Sequence, residues 1–144
     1  MRRIRDVDIH HGHVRSALVA ELRGYPTFAG CSADDVGELV AAAGEFRLPA
    51  EWSLLQEGIP ADAFYVIREG TARVFDGRTQ IATLGPGDVV GEMAFLDGGR
   101  RHATVSSATR LAGLRVDYDT LGDVIARRPR LGEALQAVYE SRVA

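Results

Sequence analysis

The chain has 144 residues, 46% of them apolar and 26% charged, with a formal charge of −3. That length suits one compact domain, and that apolar fraction excludes a mainly disordered chain. The slight acidic excess speaks against duplex nucleic acid as the main partner, because such binding draws on a concentrated basic face.

In chain order, residues 1–21 form a charged segment holding His10, His11 and His13, which runs into a short amphipathic helix marked by Val14, Leu18 and Leu22 at a spacing of four. A second helix is predicted after Gly30. Ser32 is its N-cap, Asp35 completes a capping box, Val36, Leu39 and Val40 supply the apolar stripe, and Gly44 ends it.

From about 45 to 116 the pattern changes to short strands between turn signals. Phe46–Leu48 stops at Pro49, Ser53–Gln56 stops at Glu57-Gly58, and Ala63–Arg68 is closed by Glu69-Gly70. Thr71–Phe75 and Thr79–Leu84 read as a hairpin around Asp76-Gly77, and Gly85-Pro86-Gly87-Asp88 forces a further turn. Ala103–Ser107 and Leu111–Val116 follow. Seven or eight such strands predict a mainly β fold, a β jelly roll (a double-stranded β-helix like that of the cupins) with flanking helices. Residues 117–142 return to helical spacing in two helices, the first capped by Asp117 and carrying Leu121, Val124 and Ile125. Pro129 parts it from the second, with Leu131, Leu135 and Val138.

The composition also bounds location and chemistry. No apolar run approaches the roughly 20 residues of a membrane span, and the N-terminal arginines have no apolar segment behind them. Cys31 is the only cysteine, which excludes an intrachain disulfide and a four-cysteine metal site. A cytoplasmic protein is expected, and Cys31 reads as a small core residue. The three N-terminal histidines lack further ligands nearby, so a solvated segment is expected in place of a metal site. Metal-dependent cupin chemistry needs several histidines and a carboxylate inside the barrel, and only His102 falls in the strand region. No enzymatic activity, cofactor or metal is expected.

The segment from Gly85 to Val105 breaks the strand pattern with a single helical turn near Gly91. Glycine there lets a ligand approach the backbone, and the first amides of a helical turn suit an anion. Glu92 is an acceptor-only group for sugar hydroxyls, and Arg101, nine residues on, offers a guanidinium fork for phosphate. Together these residues sketch a sugar-phosphate cradle. The alternative is a solvated Glu92 and surface arginines around an ordinary loop.

Val90-Gly91-Glu92-Met93-Ala94 and Arg101-His102-Ala103-Thr104-Val105 resemble the phosphate-binding cassette of the cyclic nucleotide-binding domain family. Asp62–Val74 is similar to the strand-turn-strand before that cassette, and Pro26-Thr27-Phe28, before the Ser32 helix, falls where the family has its entry helices. The resemblance covers about residues 22–142, so residues 22–144 are assigned to the domain. It implies that Glu92 accepts the ribose 2′-hydroxyl beside the Gly91 backbone. It also implies that Arg101 neutralises the cyclic phosphate with amides at Ala94 and Ala103. Gly91, Glu92, Met93, Ala94, Arg101, His102 and Ala103 are thus the expected contacts. Tyr139, on the last helix, is a candidate for stacking on the base, with ordinary helix packing as its commoner use.

Two positions depart from the pattern. His102 stands where cyclic-AMP binders carry alanine or serine and many cyclic-GMP binders threonine, and Arg100 replaces a proline of kinase-type cassettes. The implied function is a sensor that binds cyclic AMP ahead of cyclic GMP and moves its C-terminal helices about a hinge at Asp117–Pro129. Residues 117–144 supply those helices and leave no room for a winged-helix DNA reader, so no DNA contact is expected. Output is expected through an effector protein, through a homodimer, or through a larger protein of which this is a piece. The alternative is an interaction domain that keeps the roll and no longer binds nucleotide. In that setting Trp52 reads as a hydrophobic plug and Arg127-Arg128-Pro129-Arg130 as a solvated helix end.

Overall fold

A computed structural model describes residues 11–97 and 103–143, with side chains described from 15 to 142. Helix α1 (His11–Arg23), a 3-10 turn (Pro26–Phe28) and α2 (Ala33–Ala42) precede the strands. Both halves of the capping box form at α2. The Asp35 N–H donates to Ser32 Oγ at 3.1 Å, and the Ser32 N–H donates to Asp35 Oδ2 at 2.8 Å. Those two bonds satisfy amides that the first helical turn leaves open.

Eight strands form two antiparallel four-stranded sheets. They are β1 (Gly44–Leu48), β2 (Ser53–Leu55), β3 (Ala63–Glu69), β4 (Ala72–Asp76), β5 (Thr79–Leu84), β6 (Val89–Val90), β7 (Thr104–Ser107) and β8 (Leu111–Asp117). One sheet runs β1-β8-β3-β6 and the other β2-β7-β4-β5. This is the mainly β architecture with flanking helices that the strand spacing predicts.

Alternation along β3 explains how the layers join, since successive side chains of a strand point to opposite faces. Phe64 and Val66 enter one core with Leu22, Phe28, Leu39, Leu121, Leu131 and Leu135 from the helices. Ile67 enters a second core inside the roll with Ala72, Val90, Val105 and Leu111, and Tyr65 packs against it. Burying each large side chain contributes about 1.5–3 kcal/mol, so β3 ties the helical layer to the roll.

Helices α4 (Tyr118–Arg127) and α5 (Pro129–Val143) follow β8, with α3 (Glu92–Leu96) set between β6 and β7. Proline is tolerated at the first position of α5 because that residue needs no amide partner. The basic cluster at the α4–α5 joint is not simply solvated. Arg127 pairs with Glu38 at 3.1 Å, and Arg128 lies 3.7 Å from Asp35 and 3.8 Å from Glu38, so the joint rests on α2. Each partly exposed pair contributes at most about 1 kcal/mol. Arg130 donates to the Gly30 carbonyl at 3.4 Å.

Helix α1 is anchored differently. Arg68 Nε and Nη2 both donate to the Glu21 carboxylate at 2.7 Å, and the Tyr25 hydroxyl donates to it at 2.6 Å. The Arg68 bonds hold the Glu21 carboxyl below its ordinary range. Burial, with Glu21 alongside, pushes the Tyr25 hydroxyl up to about 12. Cys31 is buried, as expected of a core residue, and that burial pushes its thiol up.

Trp52 corrects the sequence reading, for it is 58% exposed and plugs nothing. Among the described residues, no helix is long and apolar enough to cross a membrane, and no cluster of histidine, cysteine and carboxylate stands ready for a metal. His10 and the side chains of His11 and His13 lie outside the described residues.

Candidate functional site

The turn before β6 is set by Gly85-Pro86-Gly87-Asp88. The Asp88 N–H donates to the Gly85 carbonyl at 3.0 Å and the Gly85 N–H to Asp88 Oδ2 at 2.8 Å. From there Val89 and Val90 pair with Val66 and Tyr65 of β3, which delivers the chain to Gly91 against the start of that strand. Gly91 has φ +97° and caps α3, as the expected helical turn requires. A β-carbon there would stand 2.6 Å from the Ala63 carbonyl oxygen, so only glycine fits both the conformation and the space.

Beside this turn lies a cavity of about 460 Å³. Gly91, Glu92, Met93, Ala94 and Ala103 line it, which brings together five of the residues expected to contact ligand. Its walls are apolar, from Leu55, Val74, Ala82, Leu84 and Val105, and Ile81 stands 59% exposed among its lining residues. Arg100, Arg101 and His102 lie outside the described residues. Tyr139 is half-buried and does not line the cavity.

Glu92 is fully buried, which rules out the solvated surface carboxylate. Carboxylates are almost never found so buried without a partner. Arg142, near the end of α5, supplies one: its Nη1 donates to Glu92 Oε1 at 2.7 Å and Oε2 at 2.8 Å. Tyr139, the α5 residue expected at the site from sequence, lies three residues earlier on the same helix, and nothing in the sequence marks Arg142. A second unforeseen contact ties the site to α4. The Tyr118 hydroxyl donates to the Gly91 carbonyl at 2.6 Å, and its ring lies 5.3 Å from that of Phe95. The cradle is therefore held from both C-terminal helices.

A buried carboxylate, a left-handed glycine and a largely apolar cavity with Arg142 of α5 in its lining are features that small-molecule sites share. The cyclic nucleotide-binding domain model matches residues 45–128, and the chain belongs to that family. It is 32% identical over 133 residues to the cyclic AMP receptor protein of Thermus thermophilus, covering 85% of this chain and 59% of that one. It is 29% identical over 121 residues to a CRP-like cAMP-activated global transcriptional regulator of Mycobacterium tuberculosis, covering 81% and 54%. Among solved structures, the N-terminal domain of a transcriptional regulator from Streptomyces coelicolor A3(2) superposes with a TM-score of 0.69 at 31% identity. That match covers 85% of this chain and 89% of the other. The chain thus spans somewhat more than half the length of these two curated relatives.

Proposed function

We propose that the chain is a cyclic-nucleotide sensor that binds cyclic AMP ahead of cyclic GMP and signals through its C-terminal helices to another protein. The observation that carries this reading is Glu92. A fully buried carboxylate on a residue that lines a 460 Å³ cavity, at the cassette position, suits a ribose hydroxyl. Its guanidinium partner sits on α5, so the group that would meet the sugar already touches the element that would move. The two curated relatives, both named for cyclic AMP, support that nucleotide over its guanine counterpart. Arg101, by its place in the cassette, would take the cyclic phosphate, with amides at Ala94 and Ala103.

Titration calorimetry with cyclic AMP, cyclic GMP and AMP tests the binding. Saturable heat with cyclic AMP, weaker with cyclic GMP and absent with AMP, is expected. A folded, nucleotide-free sample silent to all three would leave a roll that serves only as an interaction domain. Signalling has its own readout in amide exchange. On adding cyclic AMP, exchange in α4 and α5 should slow several-fold, because the ligand biases one arrangement of these helices. Unchanged exchange there alongside real binding would remove the helices from the mechanism.

A further inference from the structure

The far end of the roll carries a second built feature. Between β1 and β2 the chain turns through Pro49-Ala50-Glu51-Trp52, and Glu51 takes φ +66°, a conformation that favours glycine and strains other residues. A fully buried serine holds this turn in place. Ser107 Oγ donates to the Pro49 carbonyl at 2.6 Å and accepts the Trp52 N–H at 2.9 Å. The Ser107 backbone adds two bonds, its carbonyl accepting the Glu51 N–H at 2.8 Å and its N–H donating to the Trp52 carbonyl at 2.7 Å. Four atoms of the turn are fixed, and the chain's only tryptophan stands 58% exposed beside them.

Next to the turn lies a groove of about 370 Å³, lined by Pro49 itself with Arg47, Leu48, Arg110, Leu111 and Glu69. Arg47 faces Ala112 across the β1–β8 ladder, and Arg110 leads into β8 three residues after Ser107. Both arginines are exposed, and neither forms an ion pair among the described residues. Glu69 supplies one opposing charge, and the Glu51 carboxylate is engaged by Arg73 at 3.3 Å. Two arginines against Glu69 leave the groove's lining with one net positive charge on an acidic chain. The groove shares no lining residue with the larger cavity. Along β3, Glu69 marks the groove and Ala63 the Gly91 end, which at ~3.3 Å per residue places the two about 20 Å apart.

We propose that Trp52 and this groove form a docking surface for an acidic segment of a partner protein, with its carboxylates on Arg47 and Arg110 and an aliphatic side chain against the indole. Tryptophan and arginine are the residue types that dominate binding energy at protein interfaces. A rigid anchor also loses little entropy on binding. The overall charge of −3 disfavours nucleic acid as the occupant.

Because Trp52 is the sole tryptophan, its emission reads this surface directly. Peptides are selected from a random displayed library on the full chain, with the Arg47→Glu/Arg110→Glu chain as counter-target. The expected winners carry Asp or Glu beside aliphatic residues. Made synthetically, they shift Trp52 emission to the blue and saturate. They bind at least tenfold more weakly to the double variant and several-fold more weakly in 0.5 M salt. The variant's circular dichroism and its cyclic-nucleotide heat stay as in the parent. A selection with no winners overturns the proposal, and so do basic or uncharged winners or binding indifferent to both Arg47→Glu/Arg110→Glu and Trp52→Ala. An emission shift on raising chain concentration alone, or on adding a single-stranded oligonucleotide, gives the surface to a second copy or to nucleic acid and overturns it equally.

Discussion

Glu92→Gln should weaken cyclic nucleotide binding by roughly 10- to 100-fold, the worth of a charge-assisted hydrogen bond of about 1.5–3 kcal/mol. Glutamine keeps the shape of the side chain and one acceptor oxygen, so the loss reports charge and not packing. Arg142→Ala should act differently. It strips a guanidinium from a carboxylate that has no exposure to water, and desolvated charged groups are costly to leave short of partners. A stability loss of about 1–3 kcal/mol is expected, moderated by the partial exposure of Arg142, whose side chain is 27% accessible. The decisive measurement is the denaturation midpoint of all four proteins in the cycle. If the two groups hold α5 to the cradle, Glu92→Gln should largely rescue Arg142→Ala, because a neutral amide no longer requires the cation. Additive losses would mean that the pair does not couple helix to site. Affinity should follow the same logic. Arg142→Ala should also reduce nucleotide binding, by up to about tenfold, because a carboxylate has lone pairs for both the guanidinium and a ribose hydroxyl and the arginine fixes its aim.

Much of this arrangement is legible in the residues, for physical reasons that also explain what is hidden. The α2 capping box is local chemistry: Ser32 and Asp35 sit three residues apart and need only each other. The hairpin at Asp76-Gly77 and the Gly91 turn are similarly local, since positive φ selects glycine wherever the chain must turn tightly. Glu92 stands out because its neighbours spell a cassette. Arg142 does not, because its partner lies fifty residues away and an arginine near a helix end is ordinarily solvated. Which of two residues on one helix face reaches a cavity depends on how α5 docks against α3, and that depends on packing among several elements. Trp52 misleads for a related reason. An indole is normally worth burying, but here a left-handed Glu51 and a buried Ser107 set the direction of the turn. Pairing across long separations, such as β1 with β8, likewise leaves no local mark.

Gly91→Ala should be the most damaging single methyl group at the site. Two costs add at this position. The backbone sits at φ +97°, where a side chain costs about 1–3 kcal/mol, and the new carbon would stand 2.6 Å from the Ala63 carbonyl oxygen and 3.3 Å from both Phe64 Cα and the Tyr118 hydroxyl. The nearest of these atoms is backbone in β3, which is buried on both faces and cannot recede. The turn must therefore lift away from the strand, carrying α3 and Glu92 with it and stretching the 2.6 Å bond from Tyr118. An overall loss of about 3–5 kcal/mol in stability is expected, with nucleotide binding reduced by more than 100-fold. Gly58→Ala separates the two causes. Gly58 also has positive φ, +84°, but a β-carbon there meets nothing within 4 Å, so it should lose only the conformational share and leave nucleotide binding intact. Equal losses at the two glycines would show that backbone conformation alone accounts for the effect. A much larger loss at Gly91 would place the site on its contact with β3 and α4. Tyr118→Phe distinguishes those two contacts further. It keeps the ring on Phe95 and removes only the hydroxyl, so binding should persist while the exchange protection that nucleotide confers on α4 shrinks.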